Sequence, residues 1–209
     1  MRFLGVALAS VTVWGCTNLG APPITRPGTV AEQAEQLAVR PETGHDTYQR
    51  DDWAGWDNLR PCWAVREHVL ARDSIGPLTL RDRDGNRVGD ETLACELTGG
   101  VWVSPFDDVT LTNPSDLDID HIVPLAEAHR SGGAGWDGDL RRSYANDPFN
   151  LLAVSASSNR SKGDSDPSEW VPENARFVCE YLGLWVDTKI GWDLTADRAE
   201  LDAIRGSGC

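Results

Sequence analysis

The residues best suited to catalysis lie in two stretches near the middle of the chain. The first is Asp118-Ile119-Asp120-His121-Ile122-Val123-Pro124, and the second runs from Asn159 to Asp166 as NRSKGDSD. His121 can act as a general base near neutral pH. Asp120 offers an anionic oxygen to a hard divalent cation, and Asn159 offers an amide oxygen to the same ion.

Two basic residues directly follow Asn159. Arg160 and Lys162 could hold a phosphate through charge-assisted hydrogen bonds. A base, a metal ion and a phosphate-binding group together predict metal-assisted hydrolysis of a phosphodiester. Each residue alone is weak evidence for a nuclease site. An Asp-His pair at a strand end, for example, is more often a surface pair than a catalytic one. The prediction therefore depends on the whole set.

The elements around these residues follow a strand, helix, strand, helix order. LDIDHIV reads as a short strand, PLAEAHRSG as a helical insertion, FNLLAVSAS as a second strand, and NRSKGDSDPSEWVP as a short helix or loop. Asp120 and His121 point to opposite sides of an ideal strand. Both can serve one site only if the strand twists or ends there.

The remaining patterns predict an α+β domain with further helices and a β-hairpin. A helix is expected over 62–73, a hairpin around Asp84-Gly85, and a strand-turn-strand unit over 99–111. Two more helices are expected over 174–190 and 195–206, the last with Thr195 as its N-cap.

The N-terminus has the features of an export signal. Residues 1–15 contain Arg2 followed by an apolar run too short to span a bilayer, and Gly15-Cys16 at its end predicts a lipidated Cys16. A plain secretory signal cut nearby stays possible. Residues 16–50 are rich in Pro, Thr, Gly and Glu and predict a flexible tether, which leaves residues 51–209 as the folded domain.

Four cysteines remain if Cys16 carries a lipid. An exported chain meets an oxidising compartment, so disulfides are expected. Four cysteines allow three pairings, of which the spacing favours Cys62–Cys95 and Cys179–Cys209. The absence of a CxxC sequence makes a thiolate zinc site an unfavoured alternative.

The overall charge limits how the chain can bind nucleic acid. With 33 acidic and 19 basic residues, the formal net charge is −14. This charge argues against a broad basic face that coats nucleic acid. It is compatible with an enzyme that holds one phosphate locally.

The sequence from Asp118 to Pro172 resembles the HNH endonuclease family, through DHIVPL, ANDPFNLLAV, NRSKGD and EWVP in that order. More closely, residues from about Cys62 to Cys209 are similar to exported bacterial proteins related to the C-terminal nuclease domain of GmrSD-type restriction enzymes. The resemblance implies a ββα-metal core and single-ion cleavage of a phosphodiester.

The resemblance also implies roles for individual residues. His121 corresponds to the catalytic base, and Asn150 to the catalytic-site residue that braces the loop and orients the histidine. Asp120 and Asn159 correspond to the metal ligands, and Lys162 and Arg160 to residues near the substrate phosphate. Mg²⁺ or Mn²⁺ is expected in preference to Zn²⁺.

The sequence thus predicts an exported, lipid-anchored endonuclease that hydrolyses DNA in preference to RNA. One alternative is a non-catalytic cell-surface binding module that keeps an HNH scaffold, but such a module would be expected to lack part of the residue set. Another is a zinc hydrolase of a different substrate, which the scarcity of histidine in this region disfavours. The sequence makes no prediction about oligomeric state.

Overall fold

The computed structural model describes residues 28–53 and 55–209. The predicted signal peptide, Cys16 and the first part of the predicted tether lie outside the described residues. The described chain is α+β, as predicted, with small antiparallel sheets among helices. The helices are α1 (Val30–Ala34), α2 (Val65–Asp73), α3 (Leu125–Arg130), α4 (Gly138–Ala145), α5 (Ala156–Lys162), α6 (Val178–Gly191) and α7 (Arg198–Gly206). The strands are β1 (Asn58–Arg60), β2 (Trp63–Ala64), β3 (Thr79–Arg81), β4 (Arg87–Val88), β5 (Glu96–Gly99), β6 (Trp102–Val103), β7 (Thr110–Leu111), β8 (Leu117–His121) and β9 (Leu151–Ser155).

The centre of the fold is the ββα unit formed by β8, β9 and α5. The two strands pair antiparallel from Leu117 opposite Ser155 to His121 opposite Leu151. Helix α5 follows β9 at once, with Ser155 as an N-cap whose side chain accepts a hydrogen bond from the Ser158 amide. It packs on both strands, while α2 also contacts both. The paired strands therefore place the end of β8 beside α5.

Alternation along β8 and β9 divides the core into two clusters. Leu117, Ile119, Leu151 and Ala153 belong to a cluster that also contains residues of α2 and β3. Val154 faces a second, larger cluster to which α1, α3, α4, α6 and α7 all contribute. This two-residue period is what a strand buried on both faces requires.

Most of the predicted elements are present, and the helices α4 and α7 show where the structure differs from the prediction. Helix α4 was not predicted, because its sequence begins with glycine and it buries only Tyr144 and Ala145. Helix α7 is capped by Asp197 and not by Thr195, since Asp197 forms a capping box with Glu200.

The N-terminal residues that the structure describes are packed onto the domain. Val30, Ala34 and Leu37 are buried in the larger core cluster, and α1 contacts α6 and α7. The structure thus differs from the predicted tether over residues 28–50. The physical reason is the spacing of the apolar residues, which places them on one face and lets them replace water with core contacts.

The two disulfides join Cys62 to Cys95 and Cys179 to Cys209. These are the pairs that the sequence spacing favours. The first links the turn before β2 to the start of β5, and the second ties the C-terminus to α6. Within the described residues, no helix is long and apolar enough to cross a bilayer.

Candidate functional site

His121 is the last residue of β8, and its ring is held by a backbone carbonyl. Its Nε2 donates to the Ala145 carbonyl at the end of α4, at 2.9 Å. A carbonyl oxygen can only accept, so this bond places the ring proton on Nε2 and leaves Nδ1 with its lone pair. The arrangement gives the tautomer that a general base requires.

Two aromatic rings flank the imidazole of His121. Trp56 is stacked with it at a centroid distance of 5.6 Å and an angle of 18°, and Tyr144 lies at 6.4 Å and 5°. Burial lowers the pKa of His121 to about 4, against the opposing effect of the bond to the Ala145 carbonyl. The imidazole is therefore neutral at pH 7.

Asp120 faces α5 and forms an ion pair with Lys162. The Lys162 Nζ donates to Asp120 Oδ2 at 2.8 Å and to the His121 carbonyl at 2.8 Å. Burial raises the pKa of Asp120 and lowers that of Lys162, whereas their mutual attraction acts in the opposite direction on both. Lys162 thus holds the Asp120 carboxylate and the end of β8 in place.

Asn159 lies in the middle of α5, on the side that faces β8. Its Nδ2 donates to Asp118 Oδ2 at 3.0 Å. This bond turns the amide so that its oxygen points away from Asp118. Asp118 lies two residues before Asp120 and so on the same face of the strand. Its carboxylate holds the Asn159 amide, a contact that was not predicted from the sequence although the spacing of the two aspartates could have indicated it.

These residues meet in a cleft of about 300 Å³. Its walls come from the end of β8, the start of α3, the end of α5 and a distant N-terminal segment. The cleft is lined by Tyr48, Arg50, Trp56, Ile119, Asp120, His121, Pro124, Leu125, Ala126, Asn159, Gly163 and Asp164. The structure therefore brings Asp120, His121 and Asn159 together, because β8 ends at the histidine.

The donor set of the cleft fits a hard divalent cation. Asp120 supplies a carboxylate and Asn159 an amide, and Mg²⁺ and Mn²⁺ bind such oxygen ligands with water completing the shell. A group of Glu42, Asp166 and Asp197 also has ligand atoms within 4.8 Å of one another. These residues do not line the cleft, and Asp197 caps α7.

Asn150 does not line the cleft, and it braces the loop that follows β8. It is fully buried, its Oδ1 accepts from the Val123 amide at 2.9 Å, and its Nδ2 donates to the Val123 carbonyl at 3.3 Å. The Tyr144 hydroxyl donates to the same carbonyl at 2.7 Å. Asn150 thus fixes the backbone of the loop at Val123, two residues after His121.

Neither residue predicted to contact the phosphate lines the cleft. Arg160 is exposed on α5, and the Lys162 ammonium is buried beneath the end of β8. Lys162 follows Asn159 by three residues, so both side chains lie on the face of α5 that packs against β8. Arg160 lies on another face of the helix and is exposed. The cation that lines the cleft is Arg50, which the sequence analysis placed in the tether.

Tyr48, Arg50 and Trp56 are the cleft residues that sequence reasoning missed most completely. They precede β8 by more than sixty residues, and no local pattern connects them to it. Only the packing of the N-terminal segment onto α3 and α4 brings them to the site.

Comparison with known proteins places this chain in a family. Residues 70–206 match the model of the C-terminal domain of GmrSD restriction endonucleases. An "Uncharacterized secreted protein" of Arthroderma benhamiae is 37% identical over 206 residues, which cover 97% of this chain and 95% of that protein. No solved structure matches the chain. The chain belongs to the family of GmrSD restriction endonuclease C-terminal domains, and is thereby related to the HNH nucleases.

Proposed function

We propose that this protein is an exported, metal-dependent HNH endonuclease that hydrolyses phosphodiester bonds of DNA. The observation that carries the proposal is the meeting of His121, Asp120 and Asn159 in one cleft, with the histidine in the tautomer of a base. Membership of a nuclease-related family supports the reaction class. DNA is proposed over RNA on the resemblance to the HNH endonucleases.

The chain's own residues supply the acid-base part of the reaction. Nδ1 of His121 takes a proton from water, and the water oxygen forms a bond to phosphorus while the bond from phosphorus to the 3′ oxygen breaks. The Ala145 carbonyl holds the ring and stabilises the imidazolium that forms. The 3′ oxygen leaves as an alkoxide and takes a proton from solvent water, so the products carry a 5′ phosphate and a 3′ hydroxyl.

Asp120 and Asn159 are the residues that would hold the cation. When bound, it supplies Lewis-acid stabilisation of the negative charge on the leaving oxygen. Lys162 and Asp118 then act as positioning residues, because each bonds to one of the two ligands.

Export is part of the proposal. The Arthroderma benhamiae relative is described as secreted, and two disulfides are expected of a chain that leaves the cytosol. We further propose that Cys16 carries a lipid that tethers the protein to a membrane. Mass spectrometry of protein from its native host would detect a diacylglyceryl group on Cys16, and an unmodified chain that begins elsewhere would reject it.

A plasmid-nicking assay with calorimetric titration of Mn²⁺ tests the assigned roles. We expect nicking in Mg²⁺ or Mn²⁺ and none in a chelator. His121→Ala should lower the rate by about 10²–10⁴-fold and leave Mn²⁺ affinity nearly unchanged, since the base is not a ligand. Asp120→Ala and Asn159→Ala should lose both cleavage and Mn²⁺ affinity. Of the two variants, Asp120→Ala should bind Mn²⁺ more weakly, because it removes the formal charge.

His68→Ala is the matched control, because His68 is exposed on α2 and does not line the cleft. It should behave as the unmodified protein does. If His121→Ala loses Mn²⁺ as completely as Asp120→Ala, the histidine is a ligand and not the base. If neither Mg²⁺ nor Mn²⁺ supports cleavage of plasmid or of single-stranded DNA, the proposed function is incorrect.

A further inference from the structure

One wall of the cleft comes from a part of the chain that the family match does not include. The N-terminal segment, residues 41–56 with residue 54 not described, precedes the matched residues 70–206. It contributes Tyr48, Arg50 and Trp56 to the cleft. These three side chains, two aromatic and one cationic, differ in chemistry from the oxygen ligands and the base that also line the cleft.

The N-terminal segment is fixed to the helices beside the active site. The Thr43 amide donates to the Arg130 carbonyl at 3.1 Å, and Thr47 Oγ1 lies 3.0 Å from His129 Nε2. Both contacts join the segment to α3. Trp53 is buried against Tyr144 of α4. The cleft wall is therefore held in place by contacts within the chain.

Arg50 is available to bind a phosphate. Its Nη1 donates to the Trp53 carbonyl at 3.0 Å, and within the part of the chain that the structure describes it forms no ion pair with a carboxylate. A guanidinium carries five N–H donors, so one such bond leaves the others for a ligand. By contrast, Arg130 and Arg141 nearby are engaged by acidic side chains.

Trp56 and Tyr48 offer aromatic surface beside this cation. Both are partly exposed, and Trp56 is stacked on His121, which fixes it next to the reacting atoms. An aromatic ring can stack with an unpaired base and accepts any base, since every base has a flat face. In a duplex the bases are already stacked on one another and cannot reach such a surface.

The rest of the protein is poorly suited to binding a duplex. The formal net charge is −14, and several exposed arginines are paired with acidic residues, among them Arg142, Arg176 and Arg205. Duplex binding draws on many phosphate contacts along a basic face, whereas a single strand can be held by one phosphate contact and stacking. A cleft of about 300 Å³ has the size of a small-molecule site and so accommodates one nucleotide unit.

We infer that the N-terminal segment makes this nuclease selective for single-stranded nucleic acid, with Arg50 on a backbone phosphate and Trp56 beneath an adjacent base. The inference rests on the proposed function. It assigns substrate binding to residues outside the matched family domain.

The test compares a labelled single-stranded 12-mer with its duplex, using the full mature chain. Cleavage in Mn²⁺ should be at least tenfold more efficient, in kcat/KM, on the single strand. Arg50→Met should raise KM on the single strand about tenfold, and Arg50→Lys should restore part of the loss. Binding in a chelator, followed by fluorescence anisotropy, should show a salt slope smaller by about 0.7 for Arg50→Met, the value for one phosphate on a single strand.

Arg40→Met is the matched control, because Arg40 is an exposed arginine near the N-terminal segment that does not line the cleft. It should leave KM and the salt slope unchanged. Trp56→Ala should weaken single-strand binding about tenfold, and Trp56→Phe should retain most of it. Equal cleavage of single strand and duplex, or an Arg50→Met protein with unchanged KM and salt slope, would overturn this inference and leave the proposed function standing. If neither the single strand nor the duplex is cleaved, the proposed function itself is incorrect.

Discussion

Replacement of Lys162 by methionine tests whether this residue supports Asp120 or contacts substrate. The Lys162 side chain is 0% exposed and that of Asp120 is 8% exposed, and the two are joined at 2.8 Å. Methionine has similar length and no charge. The variant Lys162→Met therefore leaves a buried carboxylate, together with the His121 carbonyl, without a donor.

The expected loss of stability is large. Breaking a buried ion pair by removing one partner costs about 3–5 kcal/mol, because the remaining charge is left unpaired in a poorly solvated place. For a domain of this size, each kcal/mol lowers the melting temperature by about 2–4 °C, so the fall should be about 6–20 °C. Urea unfolding in a chelator measures the free energy without a contribution from metal binding.

Two further variants make this measurement specific. Arg160→Met changes an exposed cation on the same helix and should alter the free energy of unfolding by no more than about 0.5 kcal/mol. The double variant Asp120→Asn with Lys162→Met should lose less than the sum of the single losses, because the unpaired charge is gone. If Lys162→Met is as stable as Arg160→Met, the ammonium reaches solvent, and the phosphate contact predicted from the sequence regains its support.

Two other predictions concern the remainder of the fold. Burial raises the pKa of Glu200 from 4.5 to about 7, an effect that the ion pair with Lys189 opposes and the nearby Glu127 carboxylate reinforces. Because the carboxyl pKa is raised, the contribution of Glu200 to stability is full below pH 4.5 and is lost as pH rises through 7. The free energy of unfolding should therefore fall by about 2–3 kcal/mol from pH 5 to pH 8, and Glu200→Gln should reduce this dependence on pH. An unchanged slope in urea titrations of the variant would refute the assignment. Removal of the disulfide by Cys179→Ser with Cys209→Ser opens a loop of sequence separation 30 and should cost roughly 3–4 kcal/mol, and a loss below 1 kcal/mol in the same assay would contradict this estimate.

The sequence alone predicts two strands followed by a helix in the central unit, and it places Asp120 and His121 on the first of these strands. The alternation of Leu117, Ile119 and His121 with Asp118 and Asp120 is a local property of one strand. The short stretch from Asn159 to Lys162 fits one helix following a second strand. Because each of these patterns is confined to a few neighbouring residues, periodicity and turn chemistry could place them without knowledge of the rest of the fold.

Other features of the site depend on contacts between residues far apart in the chain. Lys162 and Arg160 have the same charge and nearly the same position in sequence, yet one is buried against Asp120 and the other is exposed. Their difference arises from which side of α5 faces β8, and only the packed helix settles it.

The same reason applies to the N-terminal segment. Its composition resembles that of a linker, and Arg50 and Trp56 have no periodic relation to His121 in the sequence. They reach the cleft because Trp53 and the apolar residues of α1 are buried against helices from distant parts of the chain. Whether such apolar residues are exposed or buried depends on the surface available to cover them, and that surface exists only in the tertiary structure.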